Sequence, residues 1–244
     1  MNYKLTLCYD GSRYKGWQKQ KNTDNTVQGK VETALGRILG KETEISGCGR
    51  TDAGVHAKKQ VCSFRAEPDM SCAELLDALR KYLPEDIGAV SLERADERFH
   101  ARLSCKEKTY VYRIHNSESP NVFERKYTYA YPQKLDTEKM RQAAEHLKGT
   151  HDFAPFSSVK NAKKSTVRTV SDIEIEKADG LITIRFTGDG FLYNMVRIMV
   201  GTLIEAGDGR RAPDSIPEIF TSKNRELAGF TAPAEGLFLW DIIY

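Results

Sequence analysis

Gly47-Cys48-Gly49-Arg50-Thr51-Asp52-Ala53-Gly54-Val55-His56-Ala57 is a polar stretch bracketed by three glycines, and its flanks decide how the chain is read. Before it, Glu42-Thr43-Glu44-Ile45-Ser46 alternates as a strand does; after it, Gln60-Val61-Cys62-Ser63-Phe64 resumes the alternation. The stretch is therefore expected to be a strand leaving a sheet, a tight loop and a return. Glycine permits backbone conformations and close approaches that other residues resist. A polar loop held in this way on a sheet presents a side chain from a firm base, and Asp52 is the candidate. The same residues also admit a structural reading, in which Arg50 and Asp52 pair to stabilise a turn and Asp52 bonds its own backbone.

Outward from this loop, residues 1–9 alternate with Tyr3, Leu5, Leu7 and Tyr9 on one side, which predicts a strand. Thr26 caps an expected helix to Leu39 with Val27, Val31, Ala34, Leu35 and Ile38 at helical spacing. Ser71 and Glu74 form a capping box for a second helix to Leu83, with Leu75, Leu76 and Leu79 on its apolar face. Residues 87–95 read as another strand. Strand, helix, strand, strand, helix, strand is the order of a ferredoxin-like unit.

The second half repeats this order with longer connections. A long strand is expected over residues 103–115, with residues 126–131 as its neighbour, and a helix over 137–147 with Met140, Ala143, Ala144 and Leu147 inward. A loop over 149–165 precedes two strands, 167–176 and 181–186, joined by a hairpin at Lys177-Ala178-Asp179-Gly180. An apolar helix over 191–206 and a closing strand over 237–243 complete the chain. The expected fold class is α+β: two ferredoxin-like halves, residues 1–101 and 102–244, with mainly antiparallel sheets around a central active-site cleft.

The 244 residues are 40% hydrophobic and 29% charged, a soluble globular balance. A formal net charge of +3 permits nucleic-acid binding without arguing for it. Cys8, Cys48, Cys62, Cys72 and Cys105 are odd in number and contain no C-x-x-C pair, which favours reduced thiols in a cytoplasmic chain over a disulfide scaffold or zinc site. No charged-then-apolar leader opens the sequence, and no apolar run is long enough to span a bilayer. Cations cluster locally instead. The segment Asp10-Gly11-Ser12-Arg13-Tyr14-Lys15-Gly16-Trp17-Gln18-Lys19-Gln20 interleaves them with two aromatics, which suits phosphates and stacked bases; equally, Trp17 belongs to the core of an ordinary loop. Lys160, Lys163, Lys164 and Arg168 form a second cluster, a phosphate-contacting surface or a solvated loop.

Gly49-Arg50-Thr51-Asp52-Ala53-Gly54-Val55-His56-Ala57 resembles the signature of the tRNA pseudouridine synthase A family. The resemblance extends over nearly the whole chain. It takes in the 10–20 segment with Thr26-Val27-Gln28, Phe99-His100-Ala101-Arg102, and Lys108-Thr109-Tyr110-Val111-Tyr112-Arg113. It continues through His151-Asp152-Phe153, Thr166-Val167-Arg168-Thr169, Gly190-Phe191-Leu192-Tyr193-Asn194-Met195-Val196-Arg197, and the block from Ala228 to Leu237. Lys59 departs from the pattern, standing where glycine is usual, and makes that edge more cationic.

The resemblance implies conversion of uridine to pseudouridine at positions 38, 39 and 40 of the tRNA anticodon stem-loop, by a homodimer. The reaction breaks the C1′–N1 bond, turns the uracil and rejoins it through C5. Being an isomerisation, it calls for no redox cofactor, nucleotide or metal, and no Walker A loop, G-x-G-x-x-G or H-E-x-x-H is present. Asp52 is implied as the catalytic carboxylate, a nucleophile at C1′ or a base at C2′. Arg197 is implied as the cation that keeps Asp52 ionised; Tyr110 as the ring that stacks on uracil and helps remove the C5 proton. Leu237 is implied to pack on the base and Arg50 to fill the space it vacates. Arg13, Lys15, Lys160, Lys163 and Lys164 complete the expected RNA contacts. Two other classes stay open: a non-catalytic RNA-binding protein of the same fold, and a carboxylate glycosidase, which needs a second acid near the first.

Overall fold

A computed structural model describes residues 1–158 and 165–244, which fall into two compact units: Met1–Lys106 with Phe238–Tyr244, and Glu107–Leu237.

In the first unit the alternating N-terminal segment is strand β1 (Asn2–Tyr9), and its four inward residues are all buried. Helix α1 (Val27–Leu39) starts at Thr26, whose hydroxyl accepts the Gly29 amide, and stops at Gly40, which takes the left-handed conformation at φ 68°. Strand β2 (Ser46–Gly47) is shorter than the alternation predicts. The cause lies in α1: the Glu32 carboxylate accepts the Ile45 amide at 3.1 Å, and Gln28 donates to the Ile45 carbonyl at 3.3 Å. Side chains thus satisfy both backbone groups of Ile45, which requires no strand partner there. Strand β3 (His56–Arg65) begins directly after the glycine-bracketed loop.

Helix α2 (Cys72–Tyr82) carries the expected capping box, with Leu75 and Leu79 buried and Leu76 half-buried. Strand β4 (Ile87–Ala95) then pairs with β1. The strands lie in the order β4, β1, β3, with β2 on β3, which is the ferredoxin-like arrangement. The last strand of the chain, β10 (Leu237–Ile243), adds to this sheet in parallel with β3, Phe238 opposite His56.

In the second unit β5 (Glu107–His115) begins later than the alternation implies. Residues 100–104 form a turn in which the His100 ring nitrogen accepts the amides of Arg102 and Leu103, so the backbone ahead of β5 is capped rather than extended. Strand β6 (Tyr129–Ala130) lies parallel to β5. Helix α3 (Thr137–Glu145) buries Met140, Ala143 and Ala144, with Leu147 buried just beyond its end.

The expected 149–165 loop contains a strand, β7 (Gly149–Asp152), paired with β8 (Val167–Ala178), and a 3-10 turn at Ala154–Phe156. Strand β8 turns into β9 (Leu181–Gly188) through Asp179 and Gly180, both at positive φ, as the hairpin signal requires. These strands lie in the order β5, β9, β8, β7. Helix α4 (Met195–Gly207) starts four residues later than the apolar pattern suggests, because Asn194 is left-handed at φ 61° and breaks the helical path. Helix α5 (Ile216–Ser222) has no counterpart in the sequence reading. Among the described residues no helix is long and apolar enough to cross a membrane.

Candidate active site

Asp52 is half-buried in the loop between β2 and β3. Its carbonyl accepts the Val55 amide at 3.2 Å, closing a turn at Gly54, which has φ 81°. The loop is held at both ends. At its start the Cys48 amide donates to the Val61 carbonyl at 2.8 Å, and buried Gln60 donates to the Gly49 carbonyl at 2.9 Å. At its end the Gly11 amide donates to Nδ1 of buried His56 at 3.0 Å, and the His56 ring stacks on Phe238 with centroids 4.7 Å apart. Between β1 and β3 the register slips by one residue, Leu7 facing Gln60 and Tyr9 facing Ala57. The extra residue of this bulge lies at Lys58–Lys59.

The 10–20 segment lies over this loop and moulds it. The Trp17 amide donates to the Thr51 carbonyl at 3.0 Å, and the Gly54 amide donates to the Tyr14 carbonyl at 3.3 Å. The backbones are so close that a Cβ on Gly11 would meet the Val55 oxygen at 1.9 Å, and one on Gly16 the Thr51 oxygen at 2.7 Å. Thr51 is fixed from the sheet side as well, by the Tyr9 hydroxyl at 2.8 Å; burial pushes the Tyr9 phenol well up, against the opposing hydrogen bonds with Thr51 and Gln60.

Trp17 is 1% exposed with its ring against Gly47, and Tyr14 is 4% exposed. These aromatics are therefore core and not a stacking platform for bases, which decides between the two readings of the segment. Of its cations, Lys15 is exposed, Lys19 pairs with Glu32 at 3.1 Å, and Arg13 pairs with Asp86. Arg50 is exposed. Lys59 does not add bare charge to its edge: its ammonium pairs with Asp241 at 2.5 Å.

In the second unit Tyr110 stands on β5 opposite Phe186, 7% exposed, with its ring edge-on to Phe191 at 5.2 Å. Arg197 lies in the first turn of α4, half-buried, where the helix dipole disfavours a cation. Its place is set by hydrogen bonds: Nε donates to the Ala232 carbonyl at 2.7 Å, the Arg197 carbonyl accepts the Ala232 amide at 3.1 Å, and a terminal nitrogen donates to Asn194 Oδ1 at 3.0 Å. The segment carrying Ala232 lies tight on α4, for a Cβ on Gly201 would stand 1.8 Å from the Phe230 oxygen.

Leu237 follows that segment, 4% exposed, and the Tyr112 hydroxyl donates to the Pro233 carbonyl at 2.8 Å. Lys160, Lys163 and Lys164 lie outside the described residues. Asn194, inside the Gly190–Arg197 block, and Gln60, just past the signature, set Arg197 and the Asp52 loop, and neither is singled out by the sequence. None of the five cysteines, all among the described residues, is in a disulfide.

A first unit of ferredoxin-like strand order carrying an aspartate on a glycine-moulded loop, and a second unit of mainly antiparallel strands and helices, fit the pseudouridine synthase class. A sequence profile described as tRNA pseudouridine synthase matches residues 7–125 and 143–244. A protein of Bacillus anthracis named tRNA pseudouridine synthase A 2 is 48% identical over 241 residues, 99% of this chain and 98% of that one. One of Clostridium tetani, tRNA pseudouridine synthase A 1, is 46% identical over 243 residues, covering 100% and 99%. One of Acetivibrio thermocellus, tRNA pseudouridine synthase A, is 45% identical over the same span and coverage. The chain belongs to the tRNA pseudouridine synthase family, whose members are isomerases acting on uridine in tRNA.

Proposed function

We propose that the protein isomerises uridines at positions 38, 39 and 40 of the tRNA anticodon stem-loop, working as a homodimer in the cytoplasm, with Asp52 as the catalytic carboxylate. The observation that carries this reading is the Asp52 loop. Its backbone is hydrogen-bonded from both flanks and from the 10–20 segment, yet its aspartate stays half-exposed. A carboxylate held in this way is preorganised to meet the sugar, at C1′ as nucleophile or at C2′ as base.

In this proposal Arg197 supplies the positive charge that favours the ionised carboxylate. Tyr110 stacks on the uracil and assists loss of the C5 proton. Leu237 packs on the base. Arg50, exposed on the same loop as Asp52, occupies the space left by the flipped nucleotide. Lys15, Arg13, Lys160, Lys163 and Lys164 contact phosphates.

Incubation of purified protein with total tRNA, followed by mapping of modified sites, tests the proposal. New pseudouridine confined to 38–40 is the expected result. RNA bound but unchanged identifies a binding module, and release of free uracil identifies a glycosidase.

A further inference from the structure

Asp86 ends the turn between α2 and β4, more than thirty residues from Asp52 in the chain. Its side chain is 10% exposed and fully engaged. Oδ1 accepts the Tyr14 hydroxyl at 2.5 Å; Oδ2 accepts Arg13 through Nε at 2.9 Å and a terminal nitrogen at 2.6 Å. Its carbonyl accepts the Asp10 amide at 3.0 Å. One residue therefore ties down the start of the 10–20 segment at three points, Asp10, Arg13 and Tyr14. Tyr14 in turn touches the Asp52 loop directly through its carbonyl and the Gly54 amide, and Gly16 and Trp17 follow immediately, on Thr51. Nothing in α2 or β4 requires a buried carboxylate: both elements are held by their own caps and ladder. Its partners all lie in the segment that moulds the Asp52 loop.

We propose that Asp86 is a positioning residue for the reaction: by holding the Tyr14 hydroxyl and the Arg13 guanidinium, it fixes the 10–20 segment against residues 51–54 and sets where the Asp52 carboxylate stands. The inference rests on Asp52 as the catalytic carboxylate.

Asp86→Asn keeps the shape and removes the charge. The expected result is a single-turnover rate at saturating protein lowered at least tenfold, a tRNA dissociation constant changed less than threefold, and partial recovery of the rate in Asp86→Glu. Tyr14→Phe, which removes only the hydroxyl, should lower the rate in the same sense and serves if Asp86→Asn does not fold. A wild-type rate in the folded variants would overturn the proposal, reducing Asp86 to a stabilising residue. So would an unchanged rate with affinity weakened tenfold, which would make this network part of the RNA surface. Asp52→Asn is measured alongside: if it stays active, the reading of Asp52 fails; if it is dead while Asp86→Asn reacts normally, only the positioning role falls.

Discussion

Gly16→Ala tests whether the N-terminal segment moulds the catalytic loop. Gly16 has φ 94°, and a Cβ there would stand 2.7 Å from the Thr51 oxygen and 3.2 Å from both the Ala53 nitrogen and the Asp52 carbonyl carbon. The conformation alone costs an alanine about 1–2 kcal/mol, and forcing an extra carbon against packed backbone about 1–3 kcal/mol more. At a total of about 3 kcal/mol, a chain of this size should lose about 6–12 °C in Tm. All three contacted atoms belong to residues 51–53, so relief of the clash moves Asp52 itself. A displacement of about 1 Å at a reacting group costs about 100-fold in rate.

Gly40→Ala is the matched control, because Gly40 also has positive φ, 68°, but a Cβ there meets nothing within 4 Å. It should lose only the conformational cost of about 1–2 kcal/mol and keep full activity. Calorimetry together with pseudouridine formation on tRNA measures both effects. If Gly16→Ala were no less stable than Gly40→Ala and reacted within threefold of wild type, the moulding argument would be wrong.

Asp52→Asn should fold and bind tRNA while losing pseudouridine formation; activity within tenfold of wild type, a difference of only about 1.4 kcal/mol, would remove it from the chemistry. Tyr110→Phe keeps the ring and should lower turnover far more than tRNA affinity; equal turnover would confine Tyr110 to packing. Replacing Lys160, Lys163 and Lys164 together by alanine should weaken binding and flatten its dependence on salt, because fewer counterions are released, with the saturated rate little changed. Burial opposes ionisation of Asp208, but hydrogen bonds from Arg210 and Tyr131 outweigh it and hold the carboxyl below its ordinary value. That stabilisation is complete above the ordinary carboxylate pKa and is lost as pH falls through the lowered one. Asp208→Asn should therefore lose stability near neutral pH and show a shallower decline of Tm in acid than wild type.

Local signals alone determined much of this protein. The capping box at Ser71 and Glu74, the Thr26 cap, the Asp179-Gly180 hairpin and the alternation of β1 each depend on neighbours within a few residues, and each appears where the pattern puts it. The contiguous signature around Asp52 likewise identified the family from residues next to one another. What only the tertiary structure decided are the contacts made across long separations. Trp17 and Tyr14 share a composition with RNA-stacking loops, and only their burial against Gly47 and Asp86 makes them core. The 42–45 segment alternates like a strand, yet at Ile45 the carbonyl and amide are taken up by Gln28 and Glu32 from α1. Lys59 reads as bare charge until Asp241, 182 residues away, neutralises it. The physical reason is common to all three: propensity and periodicity report what a segment can do alone, whereas burial and pairing belong to both partners, and a partner distant in the chain leaves no mark on the local pattern.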